Sequence, residues 1–136
     1  MRLAVDANVL LSVALGGAAS KLVTRTNFEY FTTSFTFDEV VEYIPILAAR
    51  KGLRLDRLEK NVHAVPLEII SSDVFADKRE AAHNRIAWRD PDDADLLALA
   101  LHFDLTIWTN DKDFENCGVP TLTTAELLAI VMPAER

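Results

Sequence analysis

Cysteine is almost absent. Cys117 is the single one in 136 residues, so no internal disulfide can form, and a lone thiol fits a reducing, cytoplasmic setting. With His63, His83 and His102 scattered along the chain, no Cys/His zinc pattern exists. Glycine is also scarce, with four residues, none in a GxGxxG or P-loop arrangement, which removes the common phosphate cradles. Basic residues are in deficit, 14 Lys and Arg against 21 Asp and Glu, for a net charge of −7. A protein that holds nucleic acid by charge alone would be basic, so that class is excluded. Long apolar runs are missing too. Val9 to Leu15 is too short and wrongly placed for a signal peptide, and no run approaches the roughly 20 residues of a membrane span. There are no repeats, low-complexity tracts or linkers, and the length suits one domain over residues 1–136.

Acid is abundant and concentrated. Asp90, Asp92, Asp93 and Asp95 fall within six residues and open the apolar run Leu96 to Leu101. A β-like run, Leu105 to Thr109, follows and ends in Asn110, Asp111, Lys112 and Asp113. The pattern predicts a helix and then a strand, with acid at the helix start and at the strand end. In an open α/β sheet those two places share one edge, where ligands bind. Part of the acid has a structural explanation: Asp90 suits an N-cap, Pro91 the first turn, and Asp93 the closing acid of a capping box. Four acids exceed what capping and the helix dipole use. Helical phase separates them, because side chains three and four apart share a face. Asp93 lines up with Leu96, Leu97 and Ala100, the face expected to pack on the sheet. Asp92 and Asp95 line up with Leu99 and His102, expected to be peripheral. Asp93 is therefore the preferred functional acid, with Asp95 as the alternative.

The rest of the chain supplies the frame. Arg2 to Val5 is a buried first strand ending at Asp6, a residue that either caps the next helix or presents a carboxylate at the strand's end. A helix is expected through Ser12 to Arg25, loosened or broken at Gly16-Gly17. Tyr30 to Thr33 is the second strand, and a helix opening at Ser34 runs toward Arg50, with Pro45 as a kink point and Gly52 as its end. Thr36 and Glu39 have capping-box spacing, so Glu39 is either a cap or another acid at the same sheet edge, with Glu42 as a weaker candidate. Arg50, Lys51, Arg54, Arg57 and Lys60 surround a short helix, as a solvated face or as phosphate contacts. Val62 to Ile70 is apolar but broken by Pro66, hence a loop or an edge strand, and Ser71-Ser72-Asp73 is a helix start. Val74 to Trp88 is mixed, with Lys78, Arg79, Arg85 and Arg89 near the acids. Pro120 to Leu122 is a short last strand, and Thr123 to Glu126 opens a final helix to Met132. This alternation predicts an α/β fold, a three-layer α/β/α sandwich on a mainly parallel sheet.

Carboxylates from separate segments form an oxygen-rich site of the kind hard cations such as Mg²⁺ or Mn²⁺ prefer. Such an ion makes a bound water nucleophilic and neutralises charge on a phosphoryl oxygen. Unpaired, clustered carboxylates repel, and a metal relieves that cost. No serine, histidine or cysteine nucleophile arrangement competes.

Four segments carry a family resemblance: Val5-Asp6-Ala7-Asn8-Val9-Leu10-Leu11-Ser12, Phe37-Asp38-Glu39-Val40-Val41, Asp90-Pro91-Asp92-Asp93-Ala94 running into Ala98-Leu99-Ala100, and Trp108-Thr109-Asn110-Asp111-Lys112-Asp113-Phe114. In this order and spacing the chain, from residue 1 to about 130, resembles the PIN domain, and within it the VapC-type toxins of toxin–antitoxin pairs. The resemblance implies a metal-dependent ribonuclease using one or two Mg²⁺ or Mn²⁺ ions. Asp6, Asp93 and Asp111 would be metal ligands, and Glu39 would complete the quartet as ligand or water-orienting base. Asp113 would be a secondary acid, and Asn8 and Thr109 would orient the ligands. It also implies an RNA substrate, a homodimer, and a small antitoxin protein that places a basic side chain in the acidic groove. Two other functions stay open: a PIN-fold binding module with little activity, and a receiver-like Mg²⁺-binding signalling domain. The receiver fits less well, since it needs paired acids after the first strand and this chain offers one. Residues 50–89 match no motif.

Overall fold

The computed structural model describes residues 1–86 and 93–132, so Asp90, Pro91 and Asp92 of the third motif lie outside the described residues, as do Trp88 and Arg89 before it. The strands are β1 (Arg2–Val5), β2 (Glu29–Thr33), β3 (Leu67–Ile70), β4 (Thr106–Trp108) and β5 (Thr121–Leu122). All pair in parallel, in the order β3-β2-β1-β4-β5. The helices are α1 (Ala7–Ala14), α2 (Ala18–Arg25), α3 (Ser34–Lys51), α4 (Leu55–His63), α5 (Arg79–Ile86), α6 (Ala94–Phe103) and α7 (Thr124–Val131).

Strand alternation builds three layers. Leu3, Val5, Tyr30 and Trp108 turn to one face, where they join Val9 and Leu10 of α1, Leu22 of α2, Val40 and Ile44 of α3, Leu58 of α4 and Leu127 of α7. Ala4, Phe31 and Ile107 turn to the other, against Ala82 and Ile86 of α5 and Ala94, Leu96, Leu97, Ala98, Leu99 and Ala100 of α6. Strand β1 is covered on both faces, which is why it is apolar throughout its buried length, Leu3 to Val5. The α/β/α sandwich expected from the sequence is the observed fold, and its sheet is wholly parallel.

Local signals set the ends of the helices, with several departures from expectation. The expected helix from Ser12 to Arg25 is two helices that meet at 90°, divided at Gly16, whose φ of +79° lies in the left-handed region. The first begins at Ala7, because the apolar run Val9 to Leu11 already packs in helical phase against the sheet. Helix α3 is capped at Thr33, not Thr36: the Thr33 hydroxyl accepts from the Thr36 amide at 2.9 Å. Glu39 therefore lies in the second turn and closes no capping box. The helix runs through Pro45, which sits on its exposed side, and ends at Gly52 with φ +65°. Val62 to Ile70 resolves into the end of α4 and an edge strand, β3, with Pro66 just outside the ladder. Ser71 to Asp73 form a turn, and the chain becomes helical only at Ala76, first as a short 3-10 turn and then as α5. The final helix carries the expected capping box between Thr123 and Glu126. Leu99 is fully buried, not peripheral, because α6 is packed on nearly all sides between α5 and the sheet. Among the described residues no single helix is long and apolar enough to cross a membrane.

Candidate functional site

In this strand order the chain runs from β1 outward through β2 to β3, then returns to the other side of β1 for β4 and β5. The switch point is between β1 and β4, and the crevice beyond the carboxyl ends of those strands is where such a sheet binds ligands. Asp6 follows the last residue of β1, and Thr109, Asn110 and Asp111 follow β4. The two ends are tied together by the Asp6 amide, which donates to the Trp108 carbonyl at 3.1 Å. Helix α3 leaves the adjacent β2 at the same edge and carries Glu39 in its second turn. Helix α6 precedes β4 as a crossover, so it starts at this edge with Asp93 at its N-cap.

Asp6, Asn8, Glu39, Asp93 and Asp111 thus line one cavity of about 120 Å³, together with Ala7, Thr36 and Leu96. Three of the acids form a tighter group. One carboxylate oxygen each from Asp93, Asp111 and Asp113 lies within 4.8 Å of the others. Asp6 and Glu39 stand outside that trio, on the wall of the cavity it borders.

Hydrogen bonds explain why these carboxylates point where they do. Thr109, which is buried, donates its hydroxyl to Asp6 Oδ2 at 2.7 Å and accepts from the Asp111 amide at 2.9 Å. Asp111 Oδ1 in turn accepts from the Asp113 amide at 2.9 Å, capping a 3-10 turn over Lys112–Phe114. One hydroxyl therefore fixes a β1 carboxylate and the loop after β4 together. Asp6, although it is the N-cap residue of α1, makes no side-chain capping bond, so its carboxylate is not spent on the helix. Asp93 likewise makes no side-chain capping bond. Asp95, on the neighbouring phase of α6, accepts from Arg79 Nη2 at 3.1 Å, which accounts for it as an ion pair with α5. Asn8 is exposed at the rim. Lys78 and Arg85 take no part in the cavity: Arg85 donates to the Cys117 carbonyl at 2.9 Å.

The donor set is all oxygen, which selects hard divalent cations over zinc or copper. Two oxygens on opposite sides of one Mg²⁺ lie about 4.2 Å apart. The spacing of the Asp93, Asp111 and Asp113 oxygens, within 4.8 Å, suits ligation of a single ion after small side-chain adjustment. Without a cation, each ionised pair at that distance repels by about 3 kcal/mol at the effective dielectric of a protein surface.

Sequence reasoning passes over Thr33 and reads Thr36 only as a cap. Both are buried at the end of β2 and the start of α3, and Thr36 lines the cavity. The available signal is the polar pair Thr32-Thr33 at the close of an otherwise apolar strand.

A fully parallel α/β sandwich with an acid-lined crevice at its switch point defines the class. Within it, the family model described as PIN domain matches residues 4–131, and the chain belongs to the PIN domain family. No curated protein matches it significantly by sequence. Solved structures share its fold. VapBC2 from Rickettsia felis, bound to a DNA fragment from its promoter, aligns with a TM-score of 0.66 at 12% identity, covering 90% of this chain and 98% of that one. FitAcB from Neisseria gonorrhoeae gives 0.67 at 17% identity over 90% and 98%. VapC20 from Mycobacterium tuberculosis, a toxin that cleaves the sarcin-ricin loop, gives 0.59 at 18% identity over 86% and 95%. The receiver-like alternative falls with the topology, since receivers have the strand order 2-1-3-4-5 and this sheet has 3-2-1-4-5.

Proposed function

We propose that this protein is a divalent-metal-dependent endoribonuclease, the toxin of a toxin–antitoxin pair, hydrolysing RNA phosphodiesters at the acidic crevice. The observation that carries this is the convergence of Asp6, Glu39, Asp93 and Asp111, from four separate segments, on one cavity at the sheet's switch point. Membership of the PIN family supports it, as does the likeness in fold to toxin–antitoxin complexes and to an RNA-cleaving toxin. Asp93, Asp111 and Asp113, with Asp6 beside them, would hold Mg²⁺ or Mn²⁺. A bound ion supplies Lewis acidity toward the phosphoryl oxygens and lowers the pKa of a bound water. Glu39, which lines the same cavity, orients the attacking water and takes up its proton. Thr109 keeps Asp6 and Asp111 in register, and Asn8 at the rim positions the ligands and the substrate backbone. The chain acts as a single domain in the cytoplasm, as a homodimer, with a small antitoxin whose basic side chain neutralises the crevice.

The test is calorimetric titration with Mn²⁺ followed by cleavage of a structured RNA panel. Wild type binds the ion and cuts; Asp6→Asn abolishes cutting. A wild-type protein that binds no divalent ion and cuts no RNA would refute the nuclease and leave a PIN-fold binding module.

A further inference from the structure

A second and larger cavity, about 420 Å³, lies in the groove between α1 and α3 and is lined by Ala7, Asn8, Leu11, Glu39, Val40, Glu42, Tyr43 and Ile46. That volume is within the range of sites that hold small organic groups. Ala7, Asn8 and Glu39 line both this groove and the acidic cavity, so the two are continuous. Along α3 the residues Glu39, Tyr43, Ile46 and Arg50 recur at intervals of four, three and four, which places them on one helical face. At about 1.5 Å per residue that face extends roughly 16 Å from Glu39 to Arg50. It therefore reads outward from the acids as carboxylate, aromatic ring, aliphatic side chain and guanidinium.

We propose that this groove seats an unpaired nucleobase next to the bond that is cut, with Tyr43 as its stacking platform and Glu42 as the group that reads its edge. The assignment rests on the ribonuclease activity proposed above and adds a substrate subsite to it. Tyr43 is half-buried, and its orientation is set before any ligand arrives. Arg50 Nη1 donates to the Tyr43 hydroxyl at 2.8 Å, and the guanidinium carbon lies 5.8 Å from the ring centroid. A pre-oriented ring loses little entropy on binding. An aromatic platform beside a cation is the combination single-stranded nucleic acid uses, the ring taking the base and the cation the backbone. Ile46 and Leu11 supply apolar edges, and Ile46 remains 47% exposed. Glu42, on the exposed side of the same stretch, is an obligate acceptor when ionised. It suits bases with an exocyclic amino group, as a carboxylate does for cytosine N4, and disfavours uracil, which presents a carbonyl there.

The experiment uses short single-stranded RNA oligonucleotides that differ only in the base on either side of the cut, with cleavage followed for wild type, Tyr43→Phe, Tyr43→Ala, Glu42→Gln and Arg50→Ala. Binding of a slowly cleaved phosphorothioate analogue, measured without divalent ion, and Mn²⁺ titration of the protein alone are run alongside, and thermal melting checks folding. Tyr43→Ala is expected to raise KM and lower kcat/KM about ten- to a hundredfold, the usual loss for one stacked base. Tyr43→Phe, which keeps the ring but loses the hydroxyl that Arg50 holds, should lose only part of this, about two- to fivefold in kcat/KM. Glu42→Gln leaves Mn²⁺ binding intact and removes the discrimination against uracil. Arg50→Ala weakens binding of the phosphorothioate oligonucleotide on every sequence alike. If wild type cuts RNA while Tyr43→Ala and Glu42→Gln keep its rate and base preference, the subsite is overturned and the nuclease stands. The subsite is equally overturned if those variants lose only the binding of a basic, apolar peptide. If wild type neither binds nor cuts any oligonucleotide, the nuclease itself has failed.

Discussion

Thr109 offers the sharpest test of how the acidic crevice is held, because one side chain serves two chain segments. Thr109→Val keeps the β-branched shape and removes the hydroxyl. Asp6 Oδ2 then loses a donor at 2.7 Å, and the Asp111 amide loses its acceptor at 2.9 Å. A hydrogen bond to a charged group contributes about 1.5–3 kcal/mol, and an orphaned buried amide costs about 1–3 kcal/mol. The Asp111 region is only partly buried, so the lower half of the second range applies, giving a total of roughly 2.5–5 kcal/mol. For a chain of 136 residues this corresponds to a drop in Tm of roughly 9–18 °C. Affinity for Mn²⁺ should fall by about ten- to a hundredfold, as it does when a group that orients a metal ligand is removed. Thr109→Ser restores the hydroxyl and should recover most of the metal affinity. The assays are urea unfolding of the metal-free protein and calorimetric titration with Mn²⁺. A Thr109→Val protein that unfolds within about 0.5 kcal/mol of wild type and binds Mn²⁺ equally well would refute the coupling.

Asp93→Asn should abolish measurable Mn²⁺ binding, whereas Asp95→Asn should leave it within about threefold and cost under about 1 kcal/mol of stability, since Asp95 is engaged by Arg79 in a partly exposed pair; calorimetry on the two variants side by side checks this. Gly118→Ala should destabilise by about 2 kcal/mol in urea unfolding, because Gly118 has φ +90° and a Cβ there would stand 2.3 Å from Arg85 Nη1, the atom that donates to the Cys117 carbonyl. Tyr30 governs the alkaline limb of stability. Burial pushes its hydroxyl above the ordinary value of 10.0, against the smaller lowering effect of its hydrogen bond with Thr26. Between the unfolded and folded values the native state holds the extra proton, so stability is fully present below about pH 10 and declines as pH rises through the folded value. Tyr30→Phe should lose that decline in unfolding experiments run from pH 8 upward, at a cost of about 1 kcal/mol at neutral pH for the missing bond to Thr26.

The parts of the site legible in the sequence are those where chemistry breaks a local pattern. Asp6 and Asp111 stand out because an apolar strand ends in a carboxylate. The helical period puts Asp93 in line with Leu96, Leu97 and Ala100, but Leu99, in line with Asp95, is equally buried, so the two acids are separated by the ion pair that Asp95 makes with Arg79. Glu39 is ambiguous in sequence because Thr36 offers it a cap, and only the β2–α3 junction decides that Thr33 does the capping. The break after Ala14 is legible in Gly16-Gly17, but the start of α1 is not, since an apolar stretch after a strand has no period of its own. Strand β3 is legible only as one of two alternatives, loop or edge strand, because Glu68 and Ile69 are both exposed and no alternation survives at the sheet edge. Leu99 reads as peripheral in sequence, whereas α5 and the sheet together cover both sides of α6, which no single helical stripe reveals. The groove past Tyr43 is invisible in sequence, since it depends on how α1 and α3 lean together.

The central position of β1 has a consequence for synthesis. Its neighbours are β2, about 27 residues further on, and β4, about 103 residues further on, as the pairs Leu3–Tyr30 and Leu3–Thr106 record. As the chain leaves the ribosome, Asp6 emerges 103 residues ahead of Thr109 and waits for that whole stretch before Thr109 can grip it. At about 5–20 residues per second, that interval is roughly 5–20 seconds. An unfinished polypeptide has β1, β2 and α3 but no crevice, and contacts so distant in sequence also form slowly after release. Assembly of the acidic cluster thus waits for the synthesis of β4 and the loop after it, which leaves a window in which the growing chain exists but its chemistry does not.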